Sequence, residues 1–364
     1  MKNAGFKTVA IVGVGLIGGS LGLAIRHRFP SVQVVGVDKA SVLKKAKRRG
    51  AITRGELNFS KAISKSDLVI LATPLNTILD LIPNVSQLVP ETTIVTDVGS
   101  VKLPVMQTAA RSFRGNFIGG HPMAGIELSG VEAAHPLLFE NAVYVLTPAG
   151  GVKGTRVKRL GSFLAALGAR SLIMDARTHD QVASAVSHVP QLVAVALMTM
   201  AGKSHSVSRN YLGLGAGGFR DLTRIASSRY SVWEHVLLLN RREITRSMDL
   251  FIAELKNIRR LLAGGKTSRL KERFTQARRL RGSIPRDMKG FLTPLSSVGV
   301  FVPDRPGMLA KMTAIIARHR LNIKDIELVK IREGAGGTFR LWFETNQAAS
   351  WAATVLRKKG FEIG

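Results

Sequence analysis

A histidine set among glycines and followed by proline, in Gly119-Gly120-His121-Pro122-Met123-Ala124-Gly125, is the first feature of this sequence that could do chemistry. A neutral imidazole takes up a proton near pH 7, which an alcohol needs while hydride leaves its carbon. Read alone, His121 could equally serve the structure. A second constellation indicates what would accept the hydride. Gly13, Gly15 and Gly18 form G-x-G-x-x-G at the end of an apolar run. The first glycine permits a tight turn, the second lets the backbone approach a pyrophosphate, and the third lets helix and strand pack closely. About twenty residues on, the next apolar run ends at Asp38, whose carboxylate suits the ribose hydroxyls of NAD. Lys39 beside it could accommodate the extra phosphate of NADP, and Asp38 could instead cap the following helix. The expected cofactor contacts are Gly13, Gly15, Leu16, Ile17, Gly18, Asp38, and Thr73 and Pro74 after the apolar run 68–72.

The elements that must position these residues read as an α/β first half. Phe6–Val12, Val34–Val37, Leu68–Ala72, Ile94–Thr96, Phe117–Ile118 and Ala142–Leu146 are short, nearly continuous apolar runs, the texture of parallel strands buried on both faces. Helical stretches such as Val42–Arg49 and Ile78–Leu88 lie between them, so a Rossmann-type doubly wound sheet is expected. His121 then falls at the carboxyl edge of that sheet, where ligands bind. Beyond Asp175 the spacing becomes helical, over His179–Ala201, Trp233–Leu262 and Ser268–Leu280. Pro190–Met200 is apolar nearly all round and is expected to be buried, at a subunit contact. After a stretch with Pro285, Gly290 and Pro294, a βαββαβ order follows: Val298–Val302, Gly307–His319, Ile326–Ile331, Thr338–Phe343 and Gln347–Lys359, with a short terminal segment. That order makes a ferredoxin-like α+β module. The expected organisation is a dinucleotide domain over 1–177, an all-α helical dimerisation domain over 178–281, a linker over 282–296 and a small regulatory domain over 297–364.

Composition narrows the function classes. A length of 364 residues implies two or three domains, and a hydrophobic fraction of 45% argues against disorder. The absence of cysteine excludes disulfides, thiolate metal sites and a thiol nucleophile, and fits a reducing, cytoplasmic setting. The uncharged stretch Thr8–Ile25 carries four glycines between Gly13 and Gly19, which suits a strand, turn and buried helix better than a signal or membrane span. The eight histidines are scattered, so no metal site is expected. The formal charge of +29 first suggests nucleic acid, yet only 6% of residues are aromatic and no basic–aromatic run occurs. From Arg241 to Lys289, fifteen Lys/Arg stand against five Asp/Glu. Either a solvated helical face or attraction for anionic ligands would account for that excess.

Five ordered motifs give a resemblance that covers nearly the whole chain. They are Gly13–Ser20 (GVGLIGGS), Thr96–Lys102 (TDVGSVK), Gly119–Gly125 (GGHPMAG) followed by Glu127, Ser187–Pro190 (SHVP), and Phe219–Ala226 (FRDLTRIA) with Trp233. Together they resemble the prephenate and arogenate dehydrogenases of tyrosine synthesis. The resemblance implies an NAD-linked oxidative decarboxylation of prephenate to 4-hydroxyphenylpyruvate. It implies His121 as the base, with Ser100 bonding the same hydroxyl and orienting the ring. It carries over Arg224 as the anchor for a substrate carboxylate, with Asp221 holding that side chain. His188 and Trp233 become pocket residues, and Glu127 a polar group near His121. Gln191 stands where many relatives have a second histidine, and Ile126 where a threonine is frequent. Glutamine cannot carry positive charge, which leaves prephenate and arogenate both open. The run Val302-Pro303-Asp304-Arg305-Pro306-Gly307-Met308-Leu309, with Asn322, resembles ACT domains, which pair and bind an amino acid. Tyrosine is the effector this implies, at Asp304, Gly307, Met308, Leu309 and Asn322.

A homodimer is therefore expected, with no specific nucleic-acid partner, no membrane and no fused mutase activity. Two other classes compete. A Rossmann enzyme acting on a β-hydroxyacid would rely on a lysine in the helical domain. A basic, amino-acid-sensing regulator without catalysis would not need His121, Ser100 and Arg224 together.

Overall fold

The computed structural model describes residues 5–125, 128–203, 215–283, 295–332 and 336–364. The chain divides into two compact units, one running to Arg273 and the other from Phe274. The first unit is built on eight strands: β1 (Thr8–Val12), β2 (Gln33–Val37), β3 (Arg54–Gly55), β4 (Leu68–Leu71), β5 (Ile94–Asp97), β6 (Phe117–Pro122), β7 (Val143–Pro148) and β8 (Arg170–Ile173). Their order across the sheet is β3-β2-β1-β4-β5-β6-β7-β8. Every residue of β4, β5 and β6 is buried, because helices cover both faces. Phe6, Leu21, Ile25, Phe29 and Phe163 pack one face, and Ile78, Ile82, Val85, Val105 and Phe117 the other. Connections run in opposite senses from β1, with β2 on one side and β4 on the other, so a crevice opens at their carboxyl ends.

The sheet departs from the all-parallel expectation at one place. β7 runs antiparallel to β6, with His121 opposite Val145. Among the described residues between them there is only the short 3₁₀ turn Val131–Ala133, not a crossover helix, so the chain returns directly. β3 and β8 also exceed the sequence reading: β3 has two residues, and β8 is largely exposed and lacks a buried apolar run.

The helical part of the first unit begins with one continuous run: an α-helix over Ala176–Ala183, a π-helical turn over Ser184–His188, and an α-helix over Val189–Lys203. By length and composition, the 28 residues Ala176–Lys203 could cross a bilayer. Within the single chain the expected burial of Pro190–Met200 is only partial. Val189, Gln191, Ala194 and Ala201 are buried, while Val195 and Met200 face outward. The stretch Trp233–Leu262, read as one helix, is two, Tyr230–Leu239 and Arg241–Ala263, separated at Asn240. The interruption has a cause: Asn240 is buried, and its amide donates to Asp180 O at 2.9 Å. A last helix, Thr267–Ser283, buries none of its side chains.

The second unit holds β9 (Ser296–Pro303), β10 (Asp325–Arg332), β11 (Gly336–Phe343) and β12 (Glu362–Ile363) in the order β10-β11-β9-β12, all antiparallel. Helices Met308–Arg318 and Asn346–Lys358 bury Met312, Ile316, Ala352 and Leu356 against Val300, Leu341 and Phe343. Within the expected linker, residues 284–294 lie outside the described residues.

Candidate active site

Main-chain geometry shapes the glycine turn. Gly13 has φ of 90°, and its N–H donates to Val37 O at 2.9 Å. A Cβ on Gly13 would meet Ala72 O at 2.6 Å, and one on Gly18 would meet Gly13 O at 2.0 Å. Around Gly15, by contrast, nothing lies within 4 Å of a Cβ, so a ligand could approach the main chain there. Asp38 steadies this turn: one carboxylate oxygen accepts from Val14 N at 2.8 Å and the other from Lys39 N at 2.7 Å. The following helix has Lys39 at its N-cap with no side-chain cap bond, so Asp38 is not serving as its cap. A cavity of about 630 Å³ opens beside the turn, lined by Leu16, Ile17, Thr73, Pro74, Ser100 and His121 among others. The Thr73 hydroxyl is buried with no hydrogen-bond partner. An open main-chain cradle at Gly15, a half-buried carboxylate at Asp38 and an unpaired hydroxyl at Thr73 fit a dinucleotide.

A second cavity, of about 420 Å³, adjoins the first and shares Ser100, His121, Pro122, Ala124 and Gly125 with it. His121 stands at the seam. Its Nδ1 lies 2.8 Å from His179 Nε2, and His179 Nδ1 lies 2.7 Å from Asp180 Oδ1. Asp180 accepts from the main-chain N–H groups of Lys102 and Leu103 at 2.7 and 2.8 Å. Lys102 is wholly buried, paired with Asp97, and donates from Nζ to Gly120 O at 2.7 Å, immediately before His121. Burial holds the His121 imidazole well below its usual range, and His179, Lys102 and His188 add to the effect. Burial likewise lowers the Lys102 ammonium from its ordinary range, while Asp97 opposes that shift. The result is a neutral imidazole backed by ordered hydrogen-bonding groups.

The second cavity is finished by Val186, Ser187, His188, Gln191, Ile225 and Trp233. His188 is buried, meets the Asn240 amide at 3.1 Å through Nδ1, and stands edge-on to Trp233 with centroids 6.0 Å apart. Burial pushes its pKa down to about 4, so His188 is neutral at pH 7. Gln191 donates from Nε2 to Ile225 O at 2.9 Å. Arg224 and Asp221 are exposed. Arg224 opens the turn Arg224–Ser227, and the cavity wall here is formed by its neighbours Ile225 and Ser228. Glu127, with Ile126, lies outside the described residues.

Comparison with known proteins agrees with this geometry. The family profile "prephenate dehydrogenase, nucleotide-binding domain" matches residues 21–173, and "prephenate dehydrogenase, dimerization domain" matches 175–276. A prephenate dehydrogenase of Bacillus subtilis is 34% identical over 343 residues, 93% of this chain and 92% of that protein. The chain belongs to the prephenate dehydrogenase family. The ACT domain profile matches residues 296–350. Among solved structures, prephenate dehydrogenase from A. aeolicus in complex with hydroxyphenyl propionate and NAD+ is similar, with a TM-score of 0.71 and 30% identity over 76% of this chain and 98% of that one. Synechocystis arogenate dehydrogenase is also similar, with a TM-score of 0.67 and 29% identity over 76% of this chain and 99% of that one.

Membership in this family sets the site residues in context. The structure brings Ser100, His121, His188, Gln191 and Trp233 to one cavity, and Ser100, His121, Leu16, Ile17, Thr73 and Pro74 to the other. The motif reading missed His179, Asp180 and Asn240, and it missed Arg229 and His235, which line the larger cavity. A His-Asp dipeptide opening a helix after Asp175 was the available signal for the first pair. In the ACT domain, Gly307 has φ of 82° and caps helix Met308–Arg318, with open space around its Cβ position. Asp304, Leu309 and Asn322 are exposed, and Met308 packs partly into the core.

Proposed function

We propose that this protein is an NAD-dependent prephenate dehydrogenase that converts prephenate to 4-hydroxyphenylpyruvate and carbon dioxide. The observation that carries the reading is the position of His121 on the wall common to the two cavities. The chemistry that NAD would supply in the first cavity is a hydride acceptor for the ring carbinol. Gly13, Gly15 and Gly18 would hold the pyrophosphate at the helix N-terminus, and Asp38 the ribose. His121 takes the hydroxyl proton through its ring nitrogen remote from His179, while Ser100 bonds the same oxygen. The bond to the ring carboxylate then breaks, its electron pair completes the aromatic ring, and His121 returns the proton to the phenolate oxygen. The proton count balances, since one is borrowed and one returned. Arg224 offers a bidentate site for a carboxylate, steadied by Asp221, and Gln191, His188 and Trp233 shape the pocket, with Glu127 carried over from the family motif as a polar residue of the reaction.

A second substrate, arogenate, is supported by a specific feature: Gln191 replaces a cationic position with a neutral amide. The deciding assay measures reduced nicotinamide formed from prephenate and from arogenate, each with NAD and with NADP. Turnover of neither acid would end this reading, and a higher kcat/KM on arogenate would exchange the two substrates. Arg224→Ala should raise KM strongly, and His121→Asn should chiefly lower kcat. If both variants keep wild-type kinetics, the assigned roles fail.

The active form is a cytoplasmic homodimer. Val182, Val186, Val195 and Met200 on the Ala176–Lys203 run, with Leu250, Leu255 and Leu262 on Arg241–Ala263, are exposed in the single chain, and a second copy covers such a face. The ACT domain takes tyrosine as feedback inhibitor, using Asp304, Gly307, Met308, Leu309 and Asn322. Tyrosine titrated into the assay should inhibit the native protein and spare Gly307→Ala. Equal response of the two proteins would end the feedback reading.

A further inference from the structure

The hydrogen bonds behind His121 have a direction, and main-chain donors fix it. The N–H groups of Lys102 and Leu103 can only donate, and each meets a different oxygen of Asp180, at 2.7 and 2.8 Å. Asp180 is 2% exposed, so these oxygens have little access to water. The same carboxylate lies 2.7 Å from His179 Nδ1, which must therefore carry a proton. In a neutral His179 the lone pair is then on Nε2, and His121 Nδ1, 2.8 Å away, donates to it. Only one nitrogen of the set remains as a base, and that is His121 Nε2.

We infer that His179 and Asp180 are positioning residues: they hold His121 in the tautomer whose Nε2 accepts the substrate proton, and they take up the charge that follows. The arrangement extends the logic of a serine-protease triad by one imidazole. Protonation at Nε2 breaks the substrate O–H bond and forms an N–H bond. The His121 Nδ1 proton can then pass to His179 Nε2, which moves the positive charge next to the Asp180 carboxylate. Reversal of both transfers delivers the proton to the phenolate. Lys102 ties the two ends of the chain together, since its main-chain N–H holds Asp180 and its Nζ holds Gly120 O. The inference rests on the reading of His121 as base.

Two measurements test it on the full-length protein. In ¹⁵N-labelled wild type, His121 should show a protonated Nδ1 and a bare Nε2, and in His179→Ala that preference should be lost. His179→Ala leaves the Asp180 bonds to Lys102 and Leu103 in place, so folding should persist. Its kcat should fall by about 10²-fold or more, with KM for both substrates near wild type. A wild-type spectrum with Nε2 protonated would overturn the inference, as would a His179→Ala kcat within about threefold of wild type. The spectrum needs no turnover, so a protein inactive on both acids would end the substrate reading and still decide this one.

Discussion

Beside the glycine turn, the cleft is walled by main chain: carbonyls of Gly13 and Ala72 stand where any Cβ on Gly18 or Gly13 would go. Beyond His121, the cleft is walled by side chains that reach across the sequence. His121 meets His179 over 58 positions, His188 meets Asn240 over 52, and Gln191 meets Ile225 over 34. The first lobe is a conformation, intolerant of added atoms but indifferent to most side chains. The second is a set of pairings, so single exchanges there alter chemistry while leaving the backbone in place.

The sharpest break between the lobes is at His121 itself. His121→Asn should lower kcat by about 10²–10⁴-fold with an intact fold, as steady-state kinetics and circular dichroism would show. Removing the cation beneath it should affect folding instead. Lys102→Met leaves Asp97 buried without its partner, and should cost about 3–5 kcal/mol by denaturant titration. A loss below about 1 kcal/mol would mean that water reaches Asp97.

Acid should weaken the side-chain lobe selectively. His188 titrates near 4 when folded and near 6.5 when unfolded, and His121 shifts in the same direction. The unfolded chain thus binds more protons in this window. Stability is full above pH 6.5 and is lost as pH falls toward 4, by roughly 2–4 kcal/mol for His188 alone. His188→Gln should make the melting temperature fall less steeply between those limits, with the His121 contribution remaining. The smallest effects separate two glycines of the main-chain lobe. Gly18→Ala should lower stability by about 1–3 kcal/mol. Gly15→Ala should melt like wild type and raise KM for NAD about tenfold, or ~1.4 kcal/mol. Equal melting of the two variants would remove the distinction.

The same division explains what could be read from the residues alone. Gly13, Gly18 and the apolar runs of β1, β4 and β5 follow local rules of turn and burial, so the sheet and its dinucleotide lobe were legible from spacing. Ser100, His188 and Trp233 were placed only through resemblance, because nothing in their neighbourhood in sequence demands a cavity. His179 and Asp180 escaped both routes: their partners are His121, Lys102 and Leu103, which only the folded sheet brings near. The reversal at β7 escaped too, since a buried strand has the same composition in either direction. Asn240 divided a helix that periodicity joined, by satisfying a carbonyl from another helix.

The wide turn at Ser184–His188 has a further consequence for that cleft. On a regular helix at ~100° per residue, His179 and His188 would point in nearly opposite directions, about 180° apart. A turn that absorbs one extra residue brings them to within roughly 80° of each other, and both then serve one cleft. Winding the same residues as a regular helix would turn one imidazole out of the chamber, whereas deleting one residue within the turn would leave a regular rod with both imidazoles still about 80° apart. The irregular winding is therefore what allows one rod to furnish both the support for the base and the wall of the acid pocket.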